Sequence, residues 1–227
     1  DLSQDDAVEH RAGHRRHKKN RATTPTLMKR TFDIIVAGIG LVLLSPLFLL
    51  AAILIKVDSH GPIFFRQERI GRGSSPFLIY KFRSMIEKAP QMGSPITYGD
   101  DFRITRAGRI LRKTKIDELP QLLNVLKGDM SLVGPRPEVP RYVELFRPDY
   151  EHILKVRPGL TDLASLKYSD EASILGQSAN PEGDYVARLL PDKIRLAKEY
   201  IQRSSLLFDV KLIVETIFKL FGHRISS

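Results

Sequence analysis

Residues 34–55 read IIVAGIGLVLLSPLFLLAAILI, an uncharged stretch with Ser45-Pro46 at its centre. A helix needs roughly 20 apolar residues to span a bilayer, so the length suffices for one crossing. Two features argue for a different shape. Pro46 lacks an N–H, and its ring would clash with the carbonyl of Val42, so a bend is expected there. Cations also stand on both flanks, Lys29 and Arg30 before the stretch and Lys56, Arg66, Arg69 and Arg72 after it. Positive flanks belong on the cytoplasmic side, so both ends are expected there. A segment that enters, turns at Ser45-Pro46 and leaves on the same face satisfies both. The Ser45 hydroxyl or a neighbour would then satisfy the carbonyl freed at the bend. A kinked crossing is the alternative. The stretch begins too far from the N-terminus and runs too long for a secretory signal.

The whole chain of 227 residues carries a formal net charge of +10 and a pI near 9.8. That balance suits polyanionic partners: nucleic acid, anionic lipid or a phosphorylated substrate. The absence of cysteine excludes disulfides and thiolate metal sites. Residues 1–27 are polar and basic, too poor in large apolar groups to offset their ordering entropy, and are expected to be a disordered tail. Residues 28–57 hold the membrane segment, and 58–227 the soluble domain.

Within that domain, PIFF and FLIYKF flank the Gly-rich GRGSS and predict a hairpin. Helices are expected from Phe102 to Lys113 and from Leu119 to Leu126, with Gly128 at a helix C-terminus. The last stretch, SSLLFDVKLIVETIFKLFG, spaces Lys211, Glu215 and Lys219 on one face, as an interfacial or a core-covering helix would. The fold class is α/β, mainly helical, on a membrane base.

TKIDELPQLLNVLKGDMSLVGPRP, residues 114–137, places Asp117 and Glu118 after a basic track in which Arg103, Arg106, Arg109 and Arg112 recur every third residue. One reading is structural: Thr114 as N-cap and Asp117 in the first turn of a helix, above a solvated basic face. The other is chemical. Adjacent side chains on a helix point about 100° apart, so the two acids would have different roles. A carboxylate among cations keeps a lowered pKa and stays ionised, which suits a nucleophile or a metal ligand. Pro135-Arg136-Pro137 is a stiff mount for a guanidinium that binds phosphate in a fork, and Gly134 permits close backbone approach. Arg157-Pro158-Gly159 is a second such element.

Five segments occur here in one order: KRTFDIIVAGIGLVLLSPLFLLAAILIK, GPIFFRQERIG, YKFRSM, IDELPQLLNVLKGDMSLVGPRP and VRPGLTD. Together they resemble the bacterial sugar transferases called monotopic phosphoglycosyl transferases, closely over about residues 28–165. The resemblance implies transfer of a sugar-1-phosphate from a UDP-sugar to polyprenyl phosphate, usually undecaprenyl phosphate. The products are a polyprenyl-diphosphate-sugar and UMP, and the reaction is an initiating step of glycoconjugate or exopolysaccharide synthesis. It implies a covalent phosphosugar intermediate on Asp117, Glu118 as its partner, and Mg²⁺ held at Asp117. Lys81, Arg83, Arg112 and Arg136 are the implied phosphate-binding residues. Ser45 and Pro46 are the break of a re-entrant helix, on the cytoplasmic face of the bacterial inner membrane.

The sequence departs from the family where many members continue with GWAQ; here TDLASLKYSDEAS follows RPGL. Sugar-recognition residues therefore do not carry over. The chain is expected to be of the small type, without the multi-helix N-terminal domain of larger relatives. Membrane lipid is an expected partner, nucleic acid is not, and a homodimer stays open. The competing readings are a basic nucleic-acid binder, which lacks a binding module, and a noncatalytic scaffold on anionic lipid.

Overall fold

A computed structural model describes residues 27–93, 96–99 and 101–222. The expected tail at residues 1–27 lies outside them but for Leu27, the first residue of helix α1 (Leu27–Leu43). Helix α2 (Ser45–Asp58) follows at an angle of 59°. The bend falls where proline demands it, and the Ser45 hydroxyl donates to the Val42 carbonyl at 2.8 Å, the carbonyl that Pro46 leaves open. No single helix among the described residues is long and apolar enough to cross a membrane; α1 and α2 meet that test only as a bent pair.

Both legs of the bent pair pack on the same domain through small residues. Ala37 of α1 and Ala51 of α2 are buried, and a side chain at Gly40 would touch Leu122. Ala37 joins a core with Ile79, Leu122, Val125, Met130 and Leu212; Ala51 and Ile55 join another with Phe82 and Leu111. The tip stays uncovered, with Val42, Leu43, Leu49 and Leu50 all more than half exposed.

Strands β1 (Phe64–Ile70) and β2 (Pro76–Phe82) form the expected antiparallel hairpin, with Phe65 opposite Lys81. Helix α3 starts at Arg106, four residues later than expected, because Thr105 caps it and accepts from the Gly108 N–H at 3.0 Å. Arg103 therefore leaves the basic stripe: it is buried and paired with Asp101 at 2.6 Å. Thr114 is not an N-cap. It ends α3 (Arg106–Lys113), and its hydroxyl donates to the Ile110 carbonyl. Lys115 then takes left-handed φ of 57°, and Ile116–Glu118 forms a single 3₁₀ turn before α4 (Gln121–Lys127). Gly128 ends α4 with φ 94°, as expected.

Strand β3 (Ser131–Val133) pairs in parallel with β4 (Gly159–Thr161). Between them lie α5 (Pro140–Leu145) and α6 (Arg147–Ile153). Gly134 and Gly159 pass so closely that a Cβ at Gly159 would sit 2.0 Å from the Gly134 nitrogen. After β4 come α7 (Leu163–Lys167), α8 (Glu171–Gly176), α9 (Pro181–Asp184), a π-helical turn (Tyr185–Leu189) and α10 (Leu190–Arg203). Helix α11 (Leu206–Gly222) returns beside β3 and α7. It buries Asp209 and Leu212 and leaves Leu207, Val214, Ile217 and Phe218 exposed, so its apolar residues do not all face a core.

Candidate active site

Asp117 and Glu118 share one 3₁₀ turn, and their surroundings differ sharply. Glu118 is clamped from two sides. Lys81 on β2 donates to Oε1 at 2.8 Å, and Arg136 closes a fork, Nη2 on Oε1 and Nη1 on Oε2. Asp117 is 6% exposed, and its Oδ1 is buried without a hydrogen-bond partner. Lys115 in the left-handed region and the single 3₁₀ turn lead into Pro120, and both carboxylates line one cleft.

The electrostatics separate the two acids. Burial acts first on Asp117, the Glu118 charge adds to it, and together they outweigh Lys81, Arg112 and Lys115; the carboxyl is pushed up to about 6. This corrects the expectation that the cations would keep Asp117 low. Burial alone would raise Glu118 too, but Arg136 and Lys81 hold it well below the usual carboxylate range. Burial lowers Lys81, partly offset by Glu118. The cations are committed to Glu118 rather than to its neighbour. Of the two carboxylates, Asp117 is the less stabilised and the less exposed.

A cleft of about 1570 Å³ holds Lys81, Arg83, Arg112, Asp117, Glu118 and Arg136 along its wall. The structure brings five of these together. Arg83 stands apart: its Nη2 donates to the Ser59 carbonyl and hydroxyl, at 2.8 and 2.9 Å, at the end of α2. It ties the bent helix pair to the domain, while its Nε and Nη1 remain buried and unpaired. Arg157 is also structural, donating to the Gly128 carbonyl at 2.9 Å.

Several positioning residues escaped the sequence reading. Asn124, wholly buried on α4, accepts from the Tyr80 N–H at 3.0 Å and donates to the Leu78 carbonyl at 2.8 Å. It fixes β2, and so Lys81, against the helix that follows Glu118. An amide inside the apolar run LLNVL was the available signal, since a buried amide must find partners. Lys29, read as a membrane-flanking cation, is bonded to buried Asp209, which also accepts from the Tyr200 hydroxyl at 2.7 Å. Arg30 donates to the Val125 and Leu126 carbonyls at the end of α4. Asp33 accepts from the Leu132 N–H on β3.

A family model described as bacterial sugar transferase matches residues 24–223, and the chain belongs to that family. It is 42% identical, over 84% of its length, to a UDP-N-acetylgalactosamine-undecaprenyl-phosphate N-acetylgalactosaminephosphotransferase of Aeromonas hydrophila, of which it covers 43%. It is 43% identical, again over 84% of its length, to a UDP-glucose:undecaprenyl-phosphate glucose-1-phosphate transferase of Caulobacter vibrioides, of which it covers 68%. An exopolysaccharide production protein, ExoY, of Sinorhizobium fredii is 37% identical over 84% of both chains.

Proposed function

We propose that this protein transfers a sugar-1-phosphate from a UDP-sugar to polyprenyl phosphate; the names of two relatives give undecaprenyl phosphate with UDP-N-acetylgalactosamine or UDP-glucose. The observation that carries the mechanism is the asymmetry of the acidic pair: one carboxylate fully clamped, its neighbour buried with a free oxygen.

Asp117 attacks the phosphorus that bears the sugar. A bond forms between the carboxylate oxygen and that phosphorus, the bond to the bridging oxygen breaks, and UMP leaves with the electron pair. A phosphate oxygen of the lipid then attacks the same phosphorus. The bond to Asp117 breaks and its carboxylate is restored. Glu118 keeps Lys81 and Arg136 in register, and with Arg112 these cations face the charge that builds on the phosphoryl oxygens. Magnesium takes one or two carboxylates and completes its shell with water and substrate phosphates. Asp117, through its unpaired oxygen, is the residue that would hold it, and the ion would supply charge neutralisation to the diphosphate.

The lipid acceptor gives the bent helix pair its purpose. Lys29 and Arg30 fasten the start of α1 to the domain, and Asp58 fastens the end of α2 by accepting from the Ala107 N–H at 2.9 Å. With both ends held on one domain and the apolar tip uncovered, the pair is suited to re-enter the membrane rather than cross it. The domain then lies on the cytoplasmic face, residues 28–57 forming the membrane element and 58–227 the catalytic body.

The test is the intact mass of the protein after incubation with Mg²⁺ and each of several UDP-sugars, without lipid. A sugar-phosphate gain in wild type and none in Asp117→Asn is expected. A gain in both proteins would remove Asp117 as nucleophile.

A further inference from the structure

The cleft runs well beyond the acidic pair, and its lining is of two kinds. The lysines Lys56, Lys113 and Lys115 are exposed. Val139, Tyr142, Ala164 and Tyr185 are buried, with the Tyr142 and Tyr185 rings 5.2 Å apart and Lys193 over the Tyr185 ring at 4.7 Å. By exposure, the lysines form the open side and the buried group the closed end. The closed end carries an ion pair with no role in the mechanism above: Lys193 Nζ lies 2.5 Å from Glu171 Oε2, with side chains 13% and 29% exposed. It also carries the Ser165 hydroxyl, buried and without a partner.

These groups are placed relative to the reacting centre. The Arg136 N–H donates to Asp162, which caps α7 by accepting from the Ser165 N–H at 2.7 Å. Ser165 is therefore set by the same residue that mounts Arg136. Glu171 is near enough for its charge to act on the Arg136 guanidinium.

From this we infer that the closed end holds the sugar of the donor, and that Glu171, Lys193 and Ser165 select it. The inference rests on the transferase reading. In that reaction UMP departs and a lipid arrives in every turnover, and both need the open, basic mouth. The sugar stays attached to Asp117 between those events, so it belongs where nothing must pass. A carboxylate accepts, an ammonium donates and a hydroxyl does both, which together match the vicinal hydroxyl or amide groups of a hexose. A site built to hydrogen-bond such groups discriminates strongly, since the wrong sugar leaves buried polar atoms unpaired.

The experiment uses the full chain in detergent with polyprenyl phosphate. It measures kcat/KM for UDP-glucose, UDP-galactose and their two N-acetylated counterparts, and the inhibition constant of UMP. Wild type is compared with Glu171→Gln, Lys193→Met and Ser165→Ala. The preference for the best donor over the next should shrink about 10-fold or more in the first two and about 3-fold in the third, with UMP inhibition unchanged within about 2-fold. Ser165→Ala removes one oxygen and carries the test if the charge variants do not fold. Unchanged preference in variants that still transfer overturns the assignment alone. Weaker UMP inhibition in step with the loss overturns it in favour of the nucleotide at the closed end. No transfer by wild type from any of the four donors, together with no adduct from a wider set, sinks the transferase reading and this assignment with it.

Discussion

Arg136 and Glu118 form a two-pronged ion pair, completed by Lys81 on the far side, while Asp117 one residue earlier accepts no hydrogen bond at its buried Oδ1. The pair works as a unit. Glu118 holds two cations at fixed positions, and their preoccupation with it leaves Asp117 poorly stabilised before substrate arrives.

Replacing Glu118 by Gln should therefore disorder the cations more than it weakens binding. Turnover is expected to fall about 100-fold or more, with KM for the UDP-sugar changed less than about 5-fold. Steady-state kinetics check this; unchanged turnover would remove Glu118 from the mechanism.

Arg136→Lys keeps the charge and loses the fork. A point charge on a flexible stem cannot grip Glu118 in two places or present a flat face to phosphate. A fall in kcat/KM of about 100-fold is expected, against little change in thermal midpoint, because Lys81 still neutralises Glu118.

The raised pKa of Asp117 is also a stability statement. Its carboxyl titrates at about 6 in the folded chain against 3.8 for the free group. Between those values the folded state keeps a proton that the unfolded chain has released, so stability falls as pH rises through that window. Above it, the ionised carboxylate costs roughly 1–3 kcal/mol. Asp117→Asn should thus be more stable than wild type at pH 7.5 in EDTA, by roughly 3–8 °C in Tm. The gain should shrink towards pH 4. Equal midpoints at pH 7.5 would contradict the placement of this carboxylate.

Lys29 and Asp209 link the first described turn of α1 to α11. Lys29→Ala leaves Asp209, 1% exposed, with only the Tyr200 hydroxyl. Removing one partner of a buried pair costs about 3 kcal/mol or more, so Tm should drop by roughly 6–12 °C. Lys29→Met with Asp209→Leu should recover most of it.

Because the sequence has no cysteine, single-cysteine reporters test the bent helix pair cleanly. Cysteines at Leu27 and Val57 should react with an impermeant maleimide from the same side of the membrane, and one at Leu43 should be protected. Pro46→Ala alone should leave that pattern intact, since Lys29 and Arg30 still hold the start of α1. Adding Lys29→Ala and Arg30→Ala should move a measurable fraction of the Leu27 reporter to the opposite side. Reaction of the Leu27 and Val57 reporters from opposite sides in wild type would rule out re-entry.

Local chemistry was legible in the sequence. The bend at Ser45-Pro46, the hairpin around GRGSS, the stop at Gly128 and the close approach at Gly134 each follow from the covalent limits of proline and glycine or from alternation along a strand. These rules need no knowledge of distant residues. Asp117, Glu118 and Arg136 were likewise visible as chemically able groups in a short window. Their division of labour was not. Whether a carboxylate is depressed or raised depends on which cation's side chain reaches it and how much water is removed, and Lys81 comes from a strand 37 positions away. The same holds for Lys29 and Arg103: each looked like a solvated or membrane-flanking charge, and each is matched to a carboxylate or carbonyl that only folding brings near. Sequence determined which groups the protein owns and where its backbone must turn. Tertiary structure decided which charges cancel, because Coulomb energy depends on distance through space and on local dielectric, and neither is written along the chain.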